Sequence, residues 1–149
     1  METTELLNKA VSIAKFAHQG QVDKAGVDYI NHPIRVMNAV DEEKEKIVAV
    51  LHDVVEDSGI TLRDLRKQGF DEEVVIAVGC LTKIAGESYS QFIDRVKSNR
   101  LASRVKLQDL KDNMDLSRLK TVSEADLARV EKYKQAMKVL LTSNELDII

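Results

Sequence analysis

Helical periodicity runs through almost the whole of this chain, and very little interrupts it. The 149 residues contain one proline and six glycines, and strand-like alternation is nearly absent. A chain of this kind can bury its apolar residues only by packing helix stripes on one another, so the expected fold class is all-α, a helical bundle. Leu6, Leu7, Ala10, Ala14 and Ala17 share one face of a first helix. A glycine-punctuated loop follows, from Gly20 to about Asn31. A second, short helix starts near Pro33, a residue suited to a first turn. A third is expected from about Glu42 through Ile47, Val50, Leu51 and Val54, stopping by Gly59. Thr61 with Asp64, Ser88 with Gln91, and Ser123 with Asp126 have the spacing of capping boxes, and Asp71 is a further candidate cap. In the last helix Leu127, Val130, Met137, Leu140 and Leu141 form the expected buried stripe.

The chain is long enough for one sizeable core, and no repeat, low-complexity segment or linker divides it, so residues 1–149 read as a single domain. The net charge is −3, without the basic excess of a general nucleic-acid binder. The N-terminal stretch has no long apolar run, so neither a signal peptide nor a membrane span is expected. The lone cysteine, Cys80, excludes an intrachain disulfide and makes a cytoplasmic location the default. It reads as a small helix-face residue rather than a catalytic thiol. Leu146, Ile148 and Ile149 near the C-terminus would suit docking on another subunit, which leaves an oligomer open, or a frayed tail.

Three polar clusters break the apolar pattern: Asn31-His32-Pro33, His52-Asp53-Val54-Val55-Glu56-Asp57, and Lys106-Leu107-Gln108-Asp109. His52 and Asp53 follow the apolar run Val48-Ala49-Val50-Leu51. A buried imidazole and carboxylate need partners, because an unpaired buried charge is costly. One divalent metal satisfies both, and a His/Asp donor set suits manganese, iron, zinc or cobalt. Glu56 and Asp57 lie four residues after His52 and Asp53, one helical turn on, where carboxylates can orient water or take its proton. Taken singly, each residue has an ordinary structural reading: a helix-entry His32, a helix-end Asp57, a solvated Asp109. Their order along the chain carries the signal.

That order (an upstream His, a His-Asp pair, a downstream Asp) resembles the HD superfamily of metal-dependent phosphohydrolases. The flanking residues resemble its RelA/SpoT-type (p)ppGpp hydrolase domain. They are Ala17-His18-Gln19-Gly20-Gln21, Lys24, Gly26, Tyr29-Ile30-Asn31-His32-Pro33, Leu51 to Asp57, Val105 to Asp109 with Asn113-Met114, and Arg129-Val130-Glu131-Lys132-Tyr133. The similarity covers about residues 5–141, and the short length resembles the small stand-alone form. The resemblance implies an HD-type bundle with a tiny β-hairpin near residues 20–30. It implies one metal, usually Mn2+, bound by His32, His52, Asp53 and Asp109. Glu56 and Asp57 would handle the attacking water. Lys24, Asn113, Arg129 and Tyr133 would contact a small nucleotide substrate, Asn113 at the ribose. The implied reaction is 3′-pyrophosphohydrolysis of (p)ppGpp, part of the stringent response.

Two departures from the family pattern bear on the substrate. Asp23 stands where the family carries a basic residue, often an Arg stacked on the guanine. Asp109-Leu110-Lys111-Asp112-Asn113 stands where the family usually reads Asp-Arg-Leu-His-Asn. Hydrolysis of another nucleotide or phosphorylated metabolite is therefore an alternative, with Lys83, Lys97 and Arg104 as substitute phosphate contacts. A non-catalytic nucleotide-binding module is a second alternative, opposed by the retention of Glu56 and Asp57. A helical interaction protein without metal is a third.

Overall fold

The computed structural model describes residues 3–142. Among them are nine α-helices: α1 Thr3–Ala17, α2 Asn31–Asn38, α3 Glu43–Leu51, α4 Val54–Asp57, α5 Leu62–Lys67, α6 Glu72–Cys80, α7 Tyr89–Lys97, α8 Arg100–Asn113 and α9 Glu124–Leu141. The all-α class is as the periodicity requires. The expected hairpin in the 20–30 loop reduces to a single antiparallel bridge between Val22 and Asp28. Gly26, at φ +79°, makes its turn. Asp23 Oδ1 closes that turn by accepting from the backbone N–H groups of Ala25 (2.8 Å) and Val27 (3.0 Å).

α3 is the hub. Ile47, Val48, Ala49, Val50 and Leu51 are buried in succession, so the C-terminal part of the helix is apolar all round. It packs against α1, α2, α6 and α8. Together these helices bury Leu6, Ala10, Ala14, Val36, Val74, Val78, Ala102 and Val105 in one core. Ser88 and Thr61 form the expected capping boxes, as does Ser123. Asp71 occupies the N-cap position of α6 but makes no capping bond; its carboxylate lies 3.4 Å from Lys44 Nζ instead. Asn99, which the sequence reading missed, caps α8 through Ala102 N–H at 2.8 Å.

Two expectations about helices are corrected. The third helix does not run unbroken to Gly59: it ends at Leu51, and a new short helix begins at Val54. The carbonyls of a last helical turn lack intrahelical donors. His52 Nδ1 supplies one to Ala49 O at 2.5 Å, turning the ring back over the helix end. In α9, Leu127 is 57% exposed and Leu141 is also exposed, so the expected stripe holds only in part: Leu140 is buried, and Val130 and Met137 are half-buried. The inward face also carries Asp126 and Ala136, with Arg129 and Tyr133 half-buried. A polar set thus replaces Leu127 at the N-terminal end of that face. Residues Leu146, Ile148 and Ile149 lie outside the described residues.

Candidate metal centre

Four side chains from three places in the chain meet at the end of α3. His32 comes from the first turn of α2, His52 and Asp53 from the α3–α4 break, and Asp109 from the middle of α8. One nitrogen or oxygen of each lies within 4.8 Å of one of every other. His32, His52 and Asp109 are buried, and Asp53 is half-buried. His32 Nε2 lies 2.8 Å from Asp109 Oδ1, and His52 Nε2 lies 3.2 Å from the same oxygen and 3.0 Å from Asp53 Oδ2. His52 and Asp53 are adjacent at the end of α3, where both can reach one point beyond the helix end.

A further set of groups fixes these four. His32 Nδ1 is 2.6 Å from Asp112 Oδ2, and His52 Nδ1 is on the Ala49 carbonyl. Both rings therefore turn Nε2 toward the cluster. Tyr29 donates its hydroxyl to Asp53 Oδ2 at 2.6 Å. Lys106 donates to Asp109 Oδ2 at 2.8 Å, and Asn113 donates to Asp109 Oδ1 at 3.2 Å. Burial alone would lower the His32 pKa, but its bonds to Asp109 and Asp112 overcome that and leave it raised. Burial likewise works against charged His52, yet the carboxylates of Asp53 and Asp109 hold it well above an ordinary imidazole. Burial favours neutral Asp109, and the Lys106 and His52 charges outweigh it and push the pKa well down. Two imidazole nitrogens and two carboxylates, aimed at one point and each steadied from behind, fit a divalent transition-metal ion.

The two acidic residues of α4 part company. Glu56 Oε1 accepts from the backbone N–H of Lys83 at 2.5 Å, tying α4 to the segment after α6. The Asp57 carboxylate lies 3.9 Å from His18 Nδ1. Burial, and then the negative charge of Asp53, raise its pKa. Gln21 stabilises this corner. Its amide donates to Asp57 O at 3.0 Å, and its Oε1 lies 2.9 Å from His18 Nδ1.

A cavity of about 430 Å³ opens beside the cluster, and His32 is part of its wall. Lys24, Asn113, Arg129 and Tyr133, dispersed over the chain, all line it. Arg129 is oriented by the start of its own helix: Asp126 Oδ2 serves the Ser123 capping box and Oδ1 accepts from Arg129. Burial, with the nearby Arg129 charge, lowers the Lys24 pKa. Arg35 and Arg118, which the sequence reading passed over, also line the cavity. Of the substitute phosphate contacts, Arg104 instead binds Glu45 at 2.9 Å, a carboxylate only 3% exposed. Two other residues at the centre are Lys106, which the sequence shows in the same polar cluster as Asp109, and Asp112, which it shows as a departure from the family pattern. Asp112 lies three residues on, and Lys106 three before, so helical spacing was the available signal.

No protein-family model matches the sequence. Among curated proteins, the chain is 38% identical over 80 residues to the guanosine-3′,5′-bis(diphosphate) 3′-pyrophosphohydrolase of Borreliella burgdorferi, covering 51% of this chain and 12% of that one. It is 32% identical over 122 residues to the Aquifex aeolicus protein of the same name, covering 74% of this chain and 17% of the relative. The chain thus spans less than a fifth of the length of either relative. Among solved structures it resembles a metazoan ortholog of SpoT described as hydrolysing ppGpp. The TM-score is 0.77 at 22% identity, over 94% of this chain and 88% of the other. In sequence this chain is thus similar to part of the curated 3′-pyrophosphohydrolases, and in fold it is similar to the metazoan SpoT ortholog.

Proposed function

We propose that this protein is a metal-dependent 3′-pyrophosphohydrolase of (p)ppGpp, using one divalent ion, Mn2+ by preference, held by His32, His52, Asp53 and Asp109. The observation that carries the reading is the shared wall: His32 belongs both to the four-residue cluster and to the cavity holding Lys24 and Arg129. The relatives bearing the same activity in their names support it. The single cysteine agrees with a cytoplasmic setting, and no described helix is long and apolar enough to cross a membrane.

When bound, the ion supplies Lewis acidity and lowers the pKa of nearby water. The chain's own residues do the rest. Lys24 and Arg129 bind the substrate phosphates as charge-assisted donors. Asn113, steadied by Asp109, meets the ribose, and Tyr133 flanks the nucleoside. Asp57, its pKa raised toward the range of a useful base, accepts the proton of the attacking water. Glu56 keeps one carboxylate oxygen on Lys83 N–H and offers the other to orient that water. The water oxygen bonds to the inner phosphorus of the 3′-diphosphate, the bond from phosphorus to the 3′ oxygen breaks, and that oxygen takes up a proton. Pyrophosphate leaves, and the nucleotide keeps its 5′ phosphates with a free 3′ hydroxyl.

A second reading, hydrolysis of a different phosphorylated nucleotide, rests on Asp23. Its carboxylate closes the 23–27 turn at the cavity edge, so it cannot stack on a base as an arginine would. Pyrophosphate release from ppGpp by the Mn2+-loaded protein, with a chelated control, tests the first reading. Metal-dependent turnover on the order of 1 per second or faster supports it. Turnover of a plain nucleotide far above that of ppGpp favours the second. Binding of ppGpp without any release points to a binding module.

A further inference from the structure

Asp112 is the residue that the family comparison makes look like a loss, since it stands where a histidine is usual. Its surroundings show a specific engagement. The carboxylate is 13% exposed and uses both oxygens. Oδ2 is 2.6 Å from His32 Nδ1, while the Arg35 guanidinium grips the pair as a fork, with Nε on Oδ1 at 2.8 Å and Nη2 on Oδ2 at 3.0 Å. Arg118 stands behind, with Nη2 3.6 Å from Oδ2. The carboxylate is thus a fixed anion on the far side of a metal-ligating ring.

The two imidazoles of the centre are not equivalent. His52 is backed by a neutral carbonyl, Ala49 O, and His32 by a full negative charge. A carboxylate accepting from Nδ1–H fixes the tautomer, orients the ring and makes Nε2 a better donor to a metal. Asp109 and Asp112 are three apart on α8 and so share a face. One turn of that helix therefore supplies a ligand and the support of a second ligand from α2. We infer that Asp112 is a positioning residue of the metal centre, which holds His32 in its ligating orientation and strengthens it as a donor. The inference rests on the metal-site reading above.

The test is Mn2+ affinity of the purified full chain, by competition with a chelating dye, for the native protein, Asp112→Ala and the isosteric Asp112→Asn. Circular dichroism checks each variant's fold. A 10- to 100-fold weaker Kd is expected for Asp112→Ala, with Asp112→Asn in between. With His32→Ala already in place, Asp112→Ala should change the Kd by less than about twofold, because its route to the metal is gone. The Co2+-loaded protein should also show an altered visible absorption in Asp112→Asn. A folded Asp112→Asn with native Mn2+ affinity and native Co2+ absorption overturns the inference and leaves Asp112 a structural tie between α2 and α8. Absence of Mn2+ binding by the native protein overturns the metal-site reading and this inference together. Should Asp112→Ala not fold, the Asp112→Asn comparison decides alone.

Discussion

Loading the centre with Mn2+ should expel about two protons per ion, because each histidine ligand must be neutral to bind. Both rings face hydrogen-bonding atoms at both nitrogens. His32 sits between Asp112 and Asp109, and His52 between Ala49 O and the Asp53 and Asp109 carboxylates. Acceptors on both sides of a ring favour its imidazolium form, in line with the raised pKa of both histidines. His32, His52 and Lys106 then face Asp53 and Asp109, while Arg35 pairs with Asp112, so each buried carboxylate has a cationic partner. The metal needs both Nε2 lone pairs, so two protons must leave. Below both raised histidine pKa values the binding constant should climb about a hundredfold per pH unit, equivalent to about 2.7 kcal/mol. Above them it should level off. Stability without metal has the opposite sign. A group with a raised folded pKa stabilises fully below its unfolded value, about 6.5, and that contribution is lost as pH rises through the folded value. Calorimetry at pH 6.5 in two buffers of different ionisation heat counts the protons. A count near zero would refute the charge assignment, since the histidines would then already be neutral.

Three other outcomes are expected. His52→Ala and Asp53→Ala should lose Mn2+ and activity together, whereas Glu56→Ala should keep the metal and lose rate by about 10²- to 10⁴-fold; equal metal loss in all three, by metal analysis, would break the assigned roles. Because the Asp57 pKa is raised by burial and by Asp53, activity should fall as pH drops through it, and Asp57→Asn should remove that acid limb from the residual pH–rate profile; an unchanged limb assigns it elsewhere. Lys106→Met leaves Asp109 without its ion-pair partner in a buried site and should destabilise the metal-free protein by about 3 kcal/mol. Urea unfolding checks this, and a loss under ~1 kcal/mol would show that the two imidazoliums suffice for Asp109.

The fold class and the four-residue cluster were legible in the sequence for different reasons. Helical stripes in α1, α3 and α6 are apolar enough to announce themselves. The cluster showed as polar residues in places that apolar neighbours make costly. What could not be read was side-chain geometry. The α3 break depends on His52 folding back on Ala49 O, and a run such as Val50-Leu51-His52-Asp53-Val54 gives no breaker to mark it. Leu127 fitted a helical stripe, but α9 turns a different face inward because Asp126, Arg129 and Tyr133 line the cavity. Asp23 and Asp112 were both legible as departures, yet nothing in one sequence separates a carboxylate that closes a turn from one that braces a histidine.

The α8 turn from Asp109 to Asn113 also bears on how such a domain can vary. Within five positions it carries Asp109 of the four-residue cluster, Asp112 bonded to His32 and the cavity-wall amide of Asn113. Inserting or deleting one residue there would rotate everything beyond it by about 100° and disconnect all three at once. The segment between α8 and α9 borders the same cavity through Leu116, Arg118 and Leu119 but lies outside any helix, where changes in length are easily absorbed. New substrates are therefore accessible by lengthening or shortening residues 115–122, while the α8 turn admits substitution only.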